Sequence, residues 1–524
     1  MKTIARYFGS AALLGIATLV TAQLRGQPAK PRVGQGLEAS PDLKSLVGAA
    51  MALPVEYQSD ILFDLIEKGK VSDPRWKEQL LEDVFHHAGE ARNPYPKVDN
   101  GDSNDTLSAR QGSAFSLGLD SLSIQCRVVR LVLNGSGSKA REMFAQIVHP
   151  SAPPASCSEP MTYDVHVYFD TMRELFDRGF TVSERRRGDD VQLLLQAVGS
   201  IQSAEELAPA GNLIAGLPLR PADQAALTSL FASRLAAATT SDRQFHYIEA
   251  ELTLAKAVQK LVERELRSQR PADGLLQAYR KFLVRQLSGS RCADSVATSQ
   301  TDGVQKGADP REFFNGTLAP LSSDRSLMIL AQDAVPSRLL ERAEFLPLKF
   351  PDLSGVIKEL DEIRNRPDGQ PHEHGDWEQP VSGILRGLQE SSENSSSNCP
   401  KCIFHQKAMA YLVLVDLLPA GPLYDDVVNS YLGFLAAAPM QWDEPMEWLE
   451  HLKYLLRLTA RLTGSDRSQV AELRRKGKFP GMLPGPHADE LLSKMRASRD
   501  PLISTYAFRE AVAPSPAQIP ALPR

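Results

Sequence analysis

Between Pro54 and Gly69 the apolar positions Tyr57, Ile61, Leu62, Leu65 and Ile66 fall three and four residues apart. That spacing lines one face of a helix with a period of about 3.6 residues. Pro54 suits a first turn, where a missing N–H costs nothing, and Gly69 suits a left-handed stop after Lys68. Asp73-Pro74 reopens a helix as cap and first residue, and Trp76, Leu80, Leu81, Val84, Phe85 and Ala88 repeat the stripe. The two segments predict an antiparallel hairpin with one apolar side, which needs neighbours to cover it. A short helix over 41–52, striped by Leu43, Leu46, Val47 and Ala50, abuts it.

The same texture continues. Asp120 caps a helix carrying Leu122, Cys126, Val129 and Leu133, and Asn134-Gly-Ser-Gly-Ser138 turns the chain into another through Met143, Phe144 and Ile147. Val165 to Phe176 and Asp189 to Ile201 are amphipathic, and Ser203-Ala-Glu-Glu206 is a capping box. Pro221 to Ala238 is expected to pair with the long helix Asp242 to Ser268, and Pro271 opens one more. In the C-terminal part, Pro380 to Glu390, Lys401 to Leu418, Tyr424 to Ala437 and Glu444 to Thr463 read as helices, followed by 488–497 and 501–512. Val128 to Leu133 is β-branched enough for a strand, but its stripe fits a helix better, and no segment alternates with a period of two.

The fold expected is all-α: stacked antiparallel helical hairpins, as an irregular α-solenoid or bundle, in two helical domains. The Ser/Thr/Asp/Gly-rich collapse after Gly289 marks the boundary. The organisation expected is a leader at 1–22, a flexible lead-in at 23–40, an N-terminal domain at 41–289, an irregular linker at 290–375, a C-terminal domain at 376–512 and a Pro-rich tail at 513–524.

Composition changes this picture in one respect: it points to export. Lys2 and Arg6, the apolar run Ala11 to Val20 and the small-residue site Val20-Thr-Ala22 form the pattern of a secretory signal, too short to span a bilayer comfortably. Losing those two cations would take the net charge from −5 to −7. Mild acidity without a basic tract gives no footprint for nucleic acid or an anionic membrane, and no second stretch is long and apolar enough to cross a bilayer.

Five cysteines in 524 residues are too few for a disulfide scaffold, but in an oxidising compartment they matter. Cys126 and Cys157 are the better-motivated pair, because the returning helix brings the chain back past the level of Cys126. A bridge closing ~30 residues would contribute roughly 3–4 kcal/mol. Cys399-Pro-Lys-Cys402-Ile-Phe-His405 is the densest constellation, with His372-Glu-His374 upstream. Zinc would take Cys399, Cys402 and His405, with His374 or His372 as fourth ligand. A thiol-redox centre would use the helix N-terminus to activate Cys399, though such motifs usually follow a buried strand. The plainer reading is a structural disulfide, Cys399 with Cys402 or either with Cys292.

His86 and His87 are adjacent at a helix end, where the dipole favours them structurally. His166, His246 and His451 each stand alone and read as packing or surface residues. Arg185-Arg-Arg187 is answered by Asp189-Asp190. There is no nucleophile elbow, zinc-protease helix, phosphate loop or dinucleotide fingerprint. Catalytic residues are therefore unassigned, and the lean is away from an enzyme. A helical enzyme with an internal carboxylate pair stays open, since spacing cannot pick that pair out.

Leu119-Asp-Ser-Leu-Ser-Ile-Gln-Cys126-Arg, with Ala52-Leu-Pro54 and Asp73-Pro-Arg-Trp76-Lys, resembles a loose set of exported, all-helical bacterial proteins of no assigned activity. The tetratricopeptide signature is missing. What the resemblance implies is architecture and export, without chemistry. The leading expectation is an exported periplasmic or extracellular scaffold that binds a protein, peptide or envelope component. The alternative is a metal-binding protein or metal-dependent enzyme built on the C-terminal Cys/His residues.

Overall fold

A computed structural model describes residues 40–99, 107–150, 152–153, 161–238, 248–289, 291–292, 310–322, 324–333, 339–340, 378–390, 400–460 and 487–514. The leader, the lead-in and most of the 290–375 stretch lie outside these residues, as do Cys157, His246, His372, His374 and Cys399.

The chain is predominantly helical, and the hairpin read from Pro54 onward is present. After α1 (Pro41–Met51) come α2 (Val55–Glu67) and α3 (Pro74–His87). Pro54 is the cap rather than the first helical residue, and Asp73 accepts from the Arg75 and Trp76 amides at 2.8 and 3.1 Å. Gly69 takes φ +67°, the left-handed conformation its lack of a Cβ permits.

Helix α2 is not one-sided, however. Besides its apolar stripe it buries Glu56, Gln58 and Ser59, because helices cover it from several directions. These include α1 and α3, then α19 (Pro445–Leu458) and α21 (Pro501–Val512) from the far end of the chain. Tyr57 donates to the Gln441 carbonyl at 2.6 Å and sets its ring edge-on to Trp448 and Tyr506. Asp60 accepts from Lys453 and Tyr506, and Asp64 pairs with Arg509 and Lys68. The polar face of α2 thus meets complementary charge, without which its burial would be costly.

The chain continues through β1 (Lys97–Asp99), α4 (Leu107–Phe115), α5 (Ser121–Leu133) and α6 (Gly137–Phe144) to β2 (Met161–Tyr163). β1 and β2 pair antiparallel over three residues, too few for alternation to register in the sequence. Next come α7 (His166–Arg178), α8 (Val182–Arg187), α9 (Asp189–Gly199), α10 (Leu207–Gly216), α11 (Pro221–Ala237), α12 (Ile248–Arg267) and α13 (Asp273–Leu287). β3 (Arg291–Cys292) pairs in parallel with β4 (Leu339–Leu340), and α14 (Pro310–Phe313) lies between them in sequence.

The expected pairing of Pro221–Ala238 with the next helix gives way to a staggered arrangement. α12 lies chiefly against α10, while α11 lies against α13 and α9. Gly211 is one reason, because a Cβ there would stand 3.1 Å from the Ala257 Cβ and 3.2 Å from the Phe231 ring. Its absence lets α10 approach both α11 and α12.

The remaining helices are α15 (Glu378–Glu390), α16 (Pro400–Leu417), α17 (Pro422–Ala437), α18 (Met440–Asp443), α19, α20 (Ala488–Arg496) and α21. α16 pairs with α17 and α20 with α21. One hydrophobic cluster includes residues from Leu43 to Ala513 and crosses the boundary expected at 290–375. Among the described residues no helix is long and apolar enough to cross a membrane.

Cys126 is a correction. It is a free thiol buried in α5, so the expected bridge to Cys157 is not made. The stripe it shares with Leu122, Val129 and Leu133 turns it into the core instead, where burial pushes the thiol up to about 12.

Candidate functional site

Of the predicted zinc ligands, Cys399 and His374 lie outside the described residues, and Cys402 and His405 are described. Cys402, buried in the first turn of α16, is disulfide-bonded, and its partner lies outside the described side chains. A sulfur so engaged has no thiolate to offer a metal. His405 instead sets its Nδ1 2.7 Å from Nε2 of His451 on α19. At that distance one nitrogen donates and the other accepts. Among the described residues no three His, Cys, Asp or Glu side chains could hold a metal.

The His405–His451 contact is one rung of a polar ladder between α16 and α19. One turn earlier on both helices, Lys401 lies 4.0 Å from Glu447, and it also bonds Glu444, which caps α19. Asn93 donates to the other Glu444 oxygen at 3.1 Å. Glu447 is 1% exposed, and burial pushes its carboxyl up to about 7. Lys401 opposes the rise, Glu444 adds to it, and Gln111 and Lys97 oppose it. A carboxyl of that kind exchanges a proton near neutrality. Sequence reasoning missed the ladder. The available signal was the spacing Glu444, Glu447, Glu450, His451, Tyr454, which runs polar groups along a helix whose apolar residues are buried.

A more open feature lies between α11 and α13. Pro221 starts α11, and Arg285 ends it by donating to the carbonyls of Leu235 and Ala236. With Phe231 and Leu235 turned into the core, the neighbouring stripe Ala225, Ser229, Ala232, Ser233 and Ala236 stays small and accessible. It faces Gly274, Gln277, Ala278 and Lys281 of α13 across a groove of about 640 Å³, within the range of ligand-binding clefts. At its floor Glu265 accepts from Thr228 at 3.0 Å and from Arg270 Nε at 2.5 Å. Arg270 Nη1 donates to the Pro221 carbonyl, and Nη2 has no hydrogen-bond partner among the described residues.

His86 and His87 are exposed at the end of α3, as read from the sequence, and His166 is held by Asp164 on the surface. Cys292 lies in β3. No family model, curated protein or solved structure matches the chain. The class defined by the fold is a predominantly helical protein with a closed polar ladder and an open groove lined by small residues.

Proposed function

We propose that this chain is an exported helical binding protein that receives an acidic peptide segment in the groove between α11 and α13. The observation that carries this reading is the groove itself. Its small side chains let a peptide backbone approach both helices. Lys281 on its rim offers a cationic donor to a carboxylate. The signal-like leader supports placement outside the cytoplasm.

Peptides selected from a random display library on the purified protein, then measured by fluorescence anisotropy, test it. Acidic sequences should be enriched, and their affinity should fall at least tenfold on Ser233→Trp and on Lys281→Glu. Failure to enrich any sequence, or binding unchanged in both variants, would overturn the reading.

A further inference from the structure

Three side chains that do not line the groove make a chain of contacts that neither the export reading nor the binding reading uses. Ser200 is the residue that ends α9, His149 follows α6, and Glu206 lies in the single turn Ala204–Glu206 that leads into α10. Glu206 is fully buried and held fast. Its Oε1 accepts from the amides of Gln202 and Ser203 at 3.0 Å each and from the Ser203 hydroxyl at 3.1 Å. Its Oε2 faces His149 Nε2. The other imidazole nitrogen, Nδ1, lies 3.1 Å from Ser200 Oγ.

A carboxylate on Nε2 favours the tautomer that carries its proton there, which leaves the Nδ1 lone pair directed at the serine hydroxyl. Tyr168 sets its ring edge-on to the imidazole at 5.5 Å and is itself backed by Phe144, so the ring is held on a third side. Ser200 and His149 are both half-buried, and solvent reaches them. A nucleophile within reach of a base that is oriented by a third group is the arrangement that activates serine in unrelated folds.

We propose that Ser200, His149 and Glu206 form a nucleophilic centre that is acylated by activated esters and hydrolyses them. Ser200 Oγ attacks the acyl carbon while its proton passes to His149 Nδ1. The Oγ–acyl bond forms, the bond to the leaving oxygen breaks, and His149 gives the proton to that oxygen. Water then adds to the acyl carbon, again losing a proton to His149, which returns it to Ser200 as the acid departs. Glu206 touches no reacting atom and is a positioning residue.

The surrounding backbone narrows the substrate. The amides of Ser200, Ile201, Gln202 and Ser203 are already bonded to Gln196, Val198 and Glu206. None is left in that turn to stabilise an oxyanion, a loss worth about 10²–10³ in rate. Ser200 also donates to the Ala197 carbonyl at 2.9 Å, so its hydroxyl must rotate toward His149 before attack. Both features restrict turnover to esters with good leaving groups, such as aryl esters, and predict slow rates.

The full chain is treated with a fluorophosphonate probe and the adduct mapped by mass spectrometry, and hydrolysis of p-nitrophenyl acetate is followed in parallel. The adduct is expected on Ser200, and Ser200→Ala should lose it and at least tenfold of the turnover. Glu206→Gln should slow labelling at least tenfold and Glu206→Asp restore part of it, with melting temperature followed in both. No adduct on Ser200, or turnover unchanged in Ser200→Ala, would overturn the proposal. Ser200→Ala removes a single hydroxyl and decides the matter even where the Glu206 variants fold poorly.

Discussion

Lys453 donates to Asp60 at 2.5 Å, joining a helix near the end of the chain to the second helix near its start. Burial alone would raise the Asp60 pKa, but Lys453, with Arg509 and the Tyr506 hydroxyl, more than reverses that and holds it below the ordinary carboxylate value. Removing either partner leaves a charge without its counterpart in a largely buried interface. Asp60→Asn and Lys453→Met should each cost about 3 kcal/mol in urea unfolding. A depressed carboxylate contributes stability above the unfolded-state pKa of about 4 and loses it as pH falls through the lower folded value. The wild type should therefore lose stability on acidification below about pH 4, and Asp60→Asn should lose less over that range.

Glu447 has the opposite sign. Its carboxyl, raised to about 7, binds a proton more tightly folded than unfolded. The stability it contributes is complete below the unfolded-state value near 4.5 and gone once pH has risen past about 7. Glu447→Gln should thus stabilise the protein at pH 8 by up to about 3 kcal/mol and make little difference at pH 4. Melting temperatures at the two pH values check this, and a variant less stable at pH 8 would contradict it.

Gly211→Ala tests the close approach of α10 to its neighbours. The added methyl would sit within 3.2 Å of atoms on both α11 and α12, so a cost of about 1–3 kcal/mol is expected. Ala257→Gly in the same chain should recover part of it, because that change removes one of the two clashing atoms.

Cys126 should be silent to thiol reagents in the native protein and react on unfolding. Its side chain has no solvent exposure and its thiol is held neutral, so thiolate and access are both missing. Titration with an aromatic disulfide reagent, with and without denaturant, measures this directly.

What was legible in the sequence was local. Tyr57, Ile61, Leu62, Leu65 and Ile66 announce a helix because their spacing depends on nothing beyond that helix, and all five are buried. The coverage of its other face was not legible, since Asp60 finds Tyr506 across 446 residues and no pattern around Asp60 reports that. The same limit explains His451. It stands alone along its own helix, and the imidazole that completes it comes from 46 residues earlier on another. Cys126 failed differently. Cysteine spacing gave a plausible loop, but whether a sulfur turns toward a partner or into the core depends on packing. The chain Ser200–His149–Glu206 was half visible, since the capping box at Ser203 and Glu206 was read for its backbone role and its second oxygen has another use.

The closure of the first helices by the last has a consequence for biosynthesis. A ribosome delivers Tyr57 and Asp60 long before it delivers Lys453, Tyr506 and Arg509, so for most of translation the early segment has no lasting burial site. The slowest contacts to form are those spanning the greatest chain separation. Docking of residues 501–512 onto 55–67 should therefore be a late event, completed only after residues 501–512 have emerged.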